Sequence, residues 1–287
     1  MKKLIKIIPL LILLALSLHI KAEGLKVQVT GEGQPLILIP GLTCDLSVWD
    51  ATIEKYQTNY ECHAFTLPGF AGNPAIDFNE EYLNTVKGLI LEYIDENKLE
   101  NPVIVGHSLG GFMAMLIAKD QPKLFSQIVI VDSLPFLTAI QMPTATAESA
   151  KPFAENMKKM MLTQNSEMAG ANQKAMLQSM ITDPSNIETA AKWGADSDAN
   201  TVAQAMYELY TTDLRSELDQ IEVPMLVLGA WVAYKNYGVT REMTLSNFEG
   251  QYAKAKNCTI KLSDKGKHFI MWDDPEFFFA SVDAFLN

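Results

Sequence analysis

Cysteine and histidine are scarce in this sequence, which limits the chemistry that the chain can carry. Its 287 residues include three cysteines and four histidines. Because Cys44, Cys62 and Cys258 are an odd set, at most one disulfide can form, and Cys44 and Cys62 lie in neighbouring segments. Three separate thiols that pack as small apolar side chains are the alternative. No C-x-x-C pair and no cluster of His and Cys occurs, so we expect no metal site and no cofactor.

Positive charge is also in short supply. Lys and Arg number 23 against 34 Asp and Glu, which gives a formal net charge of −11. Such an acidic surface disfavours nucleic acid and anionic membranes as partners, because both carry negative charge. Internal repeats, low-complexity tracts and a linker between two independent domains are absent as well. We therefore expect one large domain with an insertion.

The longest apolar run lies at the amino terminus. Lys2, Lys3 and Lys6 come before an apolar run over residues 7–20, and Lys-Ala-Glu follows at residues 21–23. This pattern predicts a signal peptide over residues 1–22, cleaved after Ala22. An uncleaved anchor is the alternative, although the run is short for a spanning helix. No cysteine stands directly after the run, which disfavours a lipid anchor. We therefore expect an exported protein, periplasmic or secreted. It would have no stable membrane span after removal of the leader.

Seven short runs, most of them continuously apolar and bounded by turn residues, follow the leader. Continuous apolar runs of strand length are what a parallel sheet buried on both faces requires. Helical segments lie between most of them, and this alternation predicts a doubly wound, mostly parallel α/β sheet. The predicted strands cover residues 25–30, 35–39, 60–66, 102–105, 127–131, 224–228 and 258–262. The predicted core helices cover residues 46–56, 80–97, 110–120 and 275–286.

The alternation stops over residues 136–222, which contain no clear strand and more than half of the fourteen methionines. Helical patches occur there at residues 147–161, 171–180 and 201–210. We interpret this stretch as a helical cap inserted between two parts of the core, residues 23–135 and residues 223–287. Because methionine is apolar and adaptable, the cap favours a substrate with an apolar acyl or alcohol part. Filling the cap's own small core is the alternative role for these methionines.

The strongest local signal is Gly-His-Ser-Leu-Gly at residues 106–110. It follows one predicted strand and opens a predicted helix, and G-x-S-x-G in that context is the pattern of a nucleophile elbow. The serine of such a turn has a strained backbone, and the glycines leave room where strand and helix close together. We therefore predict Ser108 as a nucleophile at the carboxyl edge of the sheet, where backbone N–H groups can hold an oxyanion.

With this elbow, the strand pattern and the inserted cap, the chain resembles the α/β-hydrolase fold superfamily, in particular its capped serine esterases and lipases. Ile-Pro-Gly-Leu at residues 39–42, Trp49 and Leu-Pro-Gly-Phe-Ala-Gly at residues 67–72 fall where such hydrolases carry similar stretches. Residues 267–275 resemble the segment that presents the catalytic histidine. The resemblance covers nearly all of the chain after the leader. Because this fold carries many chemistries, the site itself must indicate the function.

The resemblance implies roles for individual residues. His268 follows the last predicted strand and would emerge at the same sheet edge as Ser108, so it is the expected general base. The backbone N–H groups of Leu42 and Leu109 are the expected oxyanion hole. At residues 40–41 this chain has Pro-Gly where the family usually has His-Gly, a change that leaves the backbone donor in place.

A carboxylate is missing where the family usually places the acid of its triad. The turn after the penultimate strand reads Gly-Ala-Trp-Val-Ala at residues 229–233. Some members place the acid after the preceding strand, where this chain has Asp132, and we expect Asp132 to orient His268. Asp132 could instead only cap its strand end. The alternatives are then a dyad without an acid or another carboxylate, namely Asp264, Asp273 or Asp274.

Trp231 and Tyr234 stand in the loop that lacks the acid, and they are candidates for lining the substrate pocket or the cap interface. Together these residues predict an exported serine hydrolase that cleaves a small-molecule carboxylic ester through an acyl-enzyme on Ser108. A lactonase, a peptidase and a carbon–carbon bond hydrolase stay open on the same machinery. A non-catalytic binding protein of the same fold is the rival from another class, because the usual acid is missing.

Overall fold

The computed structural model describes residues 18–22, 24–79, 81–140 and 142–287. Most of the predicted signal peptide, residues 1–17, and the residue after its cleavage site, residue 23, lie outside this part. Residues 18–22, also assigned to the leader, form strand β1 (Leu18–Ala22) in the structure. The signal peptide and the predicted cap boundaries at residues 136 and 222 stay predictions.

One eight-stranded sheet forms the centre of the described chain. After β1, its strands are β2 (Leu25–Thr30), β3 (Gln34–Ile39), β4 (Tyr60–Thr66), β5 (Val103–His107), β6 (Gln127–Val131), β7 (Met225–Ala230) and β8 (Cys258–Ser263). Their spatial order is β1-β2-β4-β3-β5-β6-β7-β8. Strand β2 pairs antiparallel with β1 and β4, and every other neighbouring pair is parallel. The mostly parallel, doubly wound sheet predicted from the sequence is confirmed.

Ten α-helices accompany the sheet in the residues that the structure describes. They are α1 (Asp50–Tyr56), α2 (Tyr82–Glu96), α3 (Leu109–Asp120), α4 (Ala147–Thr163), α5 (Ser166–Met180), α6 (Pro184–Ala195), α7 (Ala199–Thr211), α8 (Arg241–Gln251), α9 (Ile270–Asp273) and α10 (Pro275–Leu286). The helix predicted over residues 46–56 is divided into a 3₁₀ turn, Leu46–Trp49, and α1. The Asp45 side chain accepts from the Ser47 N–H and so caps that turn.

Alternate residues of the central strands bury two opposite faces. Ile104 of β5 and Ile128 of β6 belong to one core cluster, which includes residues of α2 and α3. Val103 and Val129, one position away in the same strands, belong to a second cluster with residues of α1 and α10. Both faces are therefore covered by helices, which explains why these strands are continuously apolar rather than alternating.

Helices α4 to α7 form the cap between β6 and β7. Three of them contain the predicted helical patches, and α6 begins at Pro184 after Asp183, whose side chain accepts from the Ser185 and Asn186 N–H groups. Helix α7 connects the cap to the core, because its Glu208 accepts from the Tyr82 and Leu83 N–H groups at the start of α2, at 2.7 and 2.8 Å.

Among the described residues, no helix has both the length and the apolar character that crossing a membrane requires.

Cys44, Cys62 and Cys258 are free thiols in the structure. Cys44 and Cys62 are both buried, and burial raises the pKa of each thiol to about 12. The alternative of separate thiols that pack as small apolar side chains describes this arrangement.

The sheet brings four chain segments to one edge. Strands β3, β5, β6, β7 and β8 are neighbours in that order and run parallel, so their carboxyl ends lie side by side. Residues 40–42 leave β3, Ser108 leaves β5, Asp132 leaves β6, and His268 follows β8. Ligands of open α/β sheets bind at this edge, so the topology places the candidate site here.

Candidate active site

Ser108 occupies a strained turn between β5 and α3. Its backbone has φ 52° and ψ −118°, outside the regions that a serine adopts without cost. The flanking glycines are required sterically: a methyl group at Gly106 would lie 2.2 Å from the Gly110 carbonyl oxygen, and one at Gly110 would lie 2.1 Å from the Ile39 carbonyl oxygen. The backbones of β5, α3 and the residues at the end of β3 are therefore in direct contact at this turn. Ser108 is partly exposed at the edge of the sheet.

Hydrogen bonds of the backbone hold the elbow in place. The Ser108 N–H donates to the Val131 carbonyl at 2.9 Å, and the Ser108 carbonyl accepts from the Phe112 N–H at 3.0 Å. The Ser108 hydroxyl makes no hydrogen bond to another protein group in the described part of the chain. Catalytic hydrogen bonds are often long in unliganded enzymes and shorten when substrate binds.

Asp132 contacts the ring of His268 directly. The His268 Nδ1–H donates to Asp132 Oδ2 at 2.6 Å, a short hydrogen bond to a carboxylate acceptor. The two side chains are 22% and 16% exposed, so little water competes with this bond. Because Nδ1 carries the proton, the neutral imidazole keeps its lone pair on Nε2, the nitrogen that a general base needs.

The other oxygen of Asp132 explains how the site forms without an acid after β7. Asp132 Oδ1 accepts from the Ala230 N–H at 2.7 Å, and the Asp132 N–H donates to the Leu228 carbonyl at 2.7 Å. The Asp132 side chain thus extends from the end of β6 to the end of β7. Its backbone has a positive φ of 46°. The sequence reading did not identify the Ala230 N–H, since a backbone donor leaves no mark on residue type; the small residues at 229–230 were the only signal.

The three rival carboxylates have other partners. Asp264 accepts from Trp231 Nε1 at 3.2 Å and from Arg241 Nε at 2.9 Å. Asp273 accepts from Thr182 and from the backbone of Lys267, and Asp274 accepts from the Ser263 hydroxyl at 2.7 Å. Among the described carboxylates, only Asp132 contacts the imidazole ring of His268. Asp274 stands at the N-cap position of α10, but its side chain bonds Ser263 rather than the helix N–H groups.

The candidate oxyanion donors border the elbow. Leu109 is the first residue of α3, and neither its N–H nor that of Leu42 donates to another described protein group. Gly41, just before Leu42, packs so closely that a methyl group there would lie 3.2 Å from Ser108 Cβ. The turn over residues 40–42 is therefore in contact with the candidate nucleophile, as a two-donor oxyanion hole requires.

His107 is buried and bonds the backbone of the loop that carries His268. Its Nε2–H donates to the His268 carbonyl at 3.1 Å, and the two rings lie 4.7 Å apart, centroid to centroid. Burial lowers the pKa of His107 well below its usual range, and the nearby His268 lowers it further. Its Nδ1 is buried and has no partner among the described groups; a methyl group at Gly41 would lie 2.8 Å from it. His107 is thus a neutral donor that holds the loop of His268.

Trp231 and Tyr234, the candidate pocket residues, occupy different positions. Trp231 is partly buried and borders a surface depression with Lys235 and residues 238–242. Tyr234 is 51% exposed in the 3₁₀ turn Val232–Tyr237. Burial of its hydroxyl raises the pKa of Tyr234, and the negative charge of nearby Asp132 raises it further. Tyr234 is thus within range of the charge of Asp132, whereas Trp231 bonds Asp264.

Comparison with known proteins gives the family of this chain. Residues 36–281 match the model of the alpha/beta hydrolase family, and the chain belongs to that family. Within the described residues no group of His, Cys, Asp and Glu side chains is suited to holding a metal ion.

Individual relatives are esterases and hydrolases. A pimeloyl-[acyl-carrier protein] methyl ester esterase of Vibrio cholerae is 28% identical over 212 residues, which cover 70% of this chain and 76% of that protein. The structure of a hydrolase from Pseudomonas aeruginosa superposes with a TM-score of 0.75 at 18% identity, covering 92% of this chain and 94% of that one. An esterase from Exiguobacterium antarcticum gives a TM-score of 0.73 at 17% identity, covering 91% and 94%. The two structures share the fold of this chain, and the sequence relative supports a hydrolase of esterase-like type.

Proposed function

We propose that this protein is a serine hydrolase that cleaves small-molecule carboxylic esters. Ser108 attacks the ester carbonyl while His268 Nε2 takes the hydroxyl proton, and His268 returns that proton to the leaving alcohol. The acyl group stays on Ser108 until water, deprotonated by His268, attacks it; the acid then leaves and the serine is restored. The Leu42 and Leu109 N–H groups stabilise the oxyanion of both tetrahedral intermediates.

The bond between His268 and Asp132 is the observation that carries this proposal. Without an orienting acceptor, a neutral imidazole has no preferred tautomer and its ring is free to turn. At 2.6 Å the Asp132 carboxylate supplies that acceptor, and it stabilises the imidazolium that forms as Ser108 loses its proton. The absence of an acid after β7 therefore does not argue for a non-catalytic protein.

Two observations support an ester with an apolar acyl or alcohol part. The Vibrio cholerae relative is named as a methyl ester esterase. The cap also exposes several large apolar side chains, including Phe153, Met160 and Met176 at 43, 54 and 49%. An apolar substrate group would bury such surface on binding, which contributes about 25 cal/mol per Å² of apolar area removed from water.

Hydrolysis of p-nitrophenyl acetate and butyrate tests the proposal. We expect turnover of both esters, stoichiometric labelling by a fluorophosphonate, and loss of both in Ser108→Ala. A γ-lactone and a p-nitroanilide, assayed in parallel, separate the lactonase and peptidase alternatives from the esterase. A folded wild-type protein that neither turns over an ester nor takes up the fluorophosphonate would mean that the fold serves binding instead.

We also propose that residues 1–22 direct export and are removed after Ala22. The basic start, short apolar core and small residue of the sequence support this proposal. Cleavage there would remove β1 and leave β2 as the edge strand of the sheet. Cell fractionation with amino-terminal sequencing tests the proposal: we expect a soluble exported form that begins at Glu23, whereas a membrane-bound form that begins at Met1 would indicate the uncleaved anchor.

A further inference from the structure

The residues on both sides of His268 are bonded to the cap. Lys267 Nζ donates to the Gln178 carbonyl at 2.8 Å and to the Ile181 carbonyl at 3.1 Å. The Phe269 N–H donates to the Met180 carbonyl at 3.3 Å. These acceptors are the last carbonyls of α5 and the start of its connection to α6, which we call the α5–α6 junction (residues 178–183). Carbonyls at the end of a helix have no partners within the helix, and a lysine is well suited to bind them.

Asp273 links the same junction to the backbone next to His268. Its Oδ1 accepts from the Thr182 N–H at 3.0 Å, and its Oδ2 accepts from the Thr182 hydroxyl at 3.0 Å. Oδ2 also accepts from the Lys267 N–H at 3.1 Å. One carboxylate thus holds a cap residue and the residue before His268 at the same time, through three hydrogen bonds to an ionised acceptor.

Apolar packing reinforces this connection. Ile181 is fully buried and Phe269 is 4% exposed, and both belong to the core cluster that covers one face of the sheet. The rings of Trp193 in α6 and Trp272 in α9 lie 5.7 Å apart. The α5–α6 junction is therefore part of the packing around the loop that carries His268, rather than a separate layer above it.

We propose that Thr182, Lys267 and Asp273 are positioning residues through which the cap sets His268 relative to Ser108. Asp132 and His107 hold His268 from the sheet, at its ring and at its carbonyl. The α5–α6 junction holds the residues before and after His268. His268 is then in reach of Ser108 only while the junction is docked, so closure of the cap and assembly of the catalytic pair are one event. This inference rests on the proposed function, because it assigns His268 the role of the base.

Steady-state kinetics on p-nitrophenyl acetate, whose short acyl group gives the cap little apolar surface to bind, tests the proposal. In Asp273→Ala we expect kcat to fall by ten- to a hundredfold with KM changed by less than about twofold, since misplacement of a reacting group by about 1 Å can cost a factor of 10². Thr182→Val should reduce kcat in the same way, and Thr182→Ser should restore it because the hydroxyl donor returns. The double variant Thr182→Val/Asp273→Ala should be no slower than Asp273→Ala alone, because both changes break one connection.

Thr189→Val is the matched control. Thr189 is an exposed threonine of the same cap, in α6, whose hydroxyl donates to the Ser185 carbonyl at 2.9 Å. We expect wild-type kcat there. An unchanged kcat in folded Asp273→Ala, or equal losses in Thr182→Ser and Thr182→Val, would overturn the proposal.

Amide hydrogen exchange provides a readout that does not depend on activity. Asp273→Ala should speed exchange of the Lys267 and Phe269 N–H groups at least tenfold while amides of β5 keep their wild-type rates. If the wild-type protein hydrolyses no ester, the proposed function fails, yet this measurement still tests the connection. Unchanged exchange at both positions would show that the junction does not hold the loop; should Asp273→Ala fail to fold, Lys267→Met is measured in its place, with Lys174→Met of α5 as its control.

Discussion

Asp132 is the single residue on which the proposed chemistry most depends. It directly follows β6, bonds the backbone of Ala230 at the end of β7 and the ring of His268 after β8, and so connects three neighbouring strands. The turn at residues 229–233, where the family usually carries its acid, supplies the Ala230 backbone donor instead. The short side chain of Asp132 can make both contacts, one with each carboxylate oxygen, because the strand ends lie side by side.

Asp132→Asn should lower kcat by about 10³- to 10⁴-fold, as loss of the acid does in other serine triads. The asparagine carbonyl can still accept from one N–H, but its NH₂ group cannot accept from His268, so the ring loses its required tautomer. The measurement is kcat on p-nitrophenyl butyrate with a thermal melt to check folding. Asp264→Asn, at an exposed carboxylate that contacts Trp231 and Arg241, serves as the control and should keep its activity. A loss under about tenfold in Asp132→Asn would show that Asp132 does not orient the base.

His107→Leu should cost about 1–3 kcal/mol of unfolding free energy, because the partly buried His268 carbonyl would lose its donor. His107→Gln should cost less, since the amide NH₂ can donate to the same oxygen. Urea unfolding at pH 7.5 measures both variants. If the two variants lose equal stability, packing of the ring rather than the hydrogen bond accounts for the role of His107.

At the scale of elements, the site depends on how closely β3, β5 and α3 meet. The G-x-S-x-G pattern marks the turn between β5 and α3, but the contact that makes Gly110 indispensable comes from β3, a strand about seventy residues earlier. The strain at Ser108 is retained because these three elements fix the turn from several sides.

Gly110→Ala should lower the free energy of unfolding by about 3 kcal/mol or prevent folding, because the new methyl group would lie 2.1 Å from the Ile39 carbonyl oxygen. Gly88→Ala provides the contrast. Gly88 lies inside α2 with nothing within 4 Å of the added methyl group, so alanine there should raise the free energy of unfolding by about 0.5–1 kcal/mol. Urea unfolding measures both changes, and an unaltered stability in Gly110→Ala would mean that the elbow can relax away from β3.

At the scale of the whole molecule, two buried histidines connect stability to pH. His63 bonds Tyr93 and Glu61 beneath α2, and His107 lies beneath the site; both are nearly fully buried. Burial is the main cause that lowers the pKa of each. In the unfolded chain both would titrate near their ordinary pKa of about 6.5. The native state therefore excludes protons that the unfolded state binds.

Stability should accordingly fall as pH drops below about 6.5, because the unfolded chain then gains protons that the folded chain does not. The slope can reach about 1.4 kcal/mol per pH unit for each such histidine. Asp45, whose pKa is lowered by hydrogen bonds from Lys26, Ser47 and Thr66, loses its contribution only at more acidic pH, below its ordinary value. Urea unfolding between pH 7.5 and 5 measures the trend. His63→Gln should flatten the curve, and an identical slope in that variant would rule out His63 as a contributor.

Much of the fold was predictable because it follows from local patterns. Strand β6 has the predicted bounds, since an apolar run between turn residues is typical of a strand at the centre of a sheet buried on both faces. The parallel order then brings Ser108, Asp132 and His268 to one edge of the sheet. The partners of Asp264 and the burial of His107 were not predictable, because both depend on side chains distant in sequence.

The sequence by itself determined the elements, the elbow and the edge of the sheet at which the candidate catalytic residues gather, because periodicity and turn chemistry act over a few residues. Only the tertiary structure decided which carboxylate contacts His268, and it also decided that the cap holds the loop beside that residue. Asp132 and His268 are 136 residues apart, and Thr182 and Asp273 are 91 apart. Contacts over such separations are determined by how whole elements pack, and the types of the residues involved do not specify them.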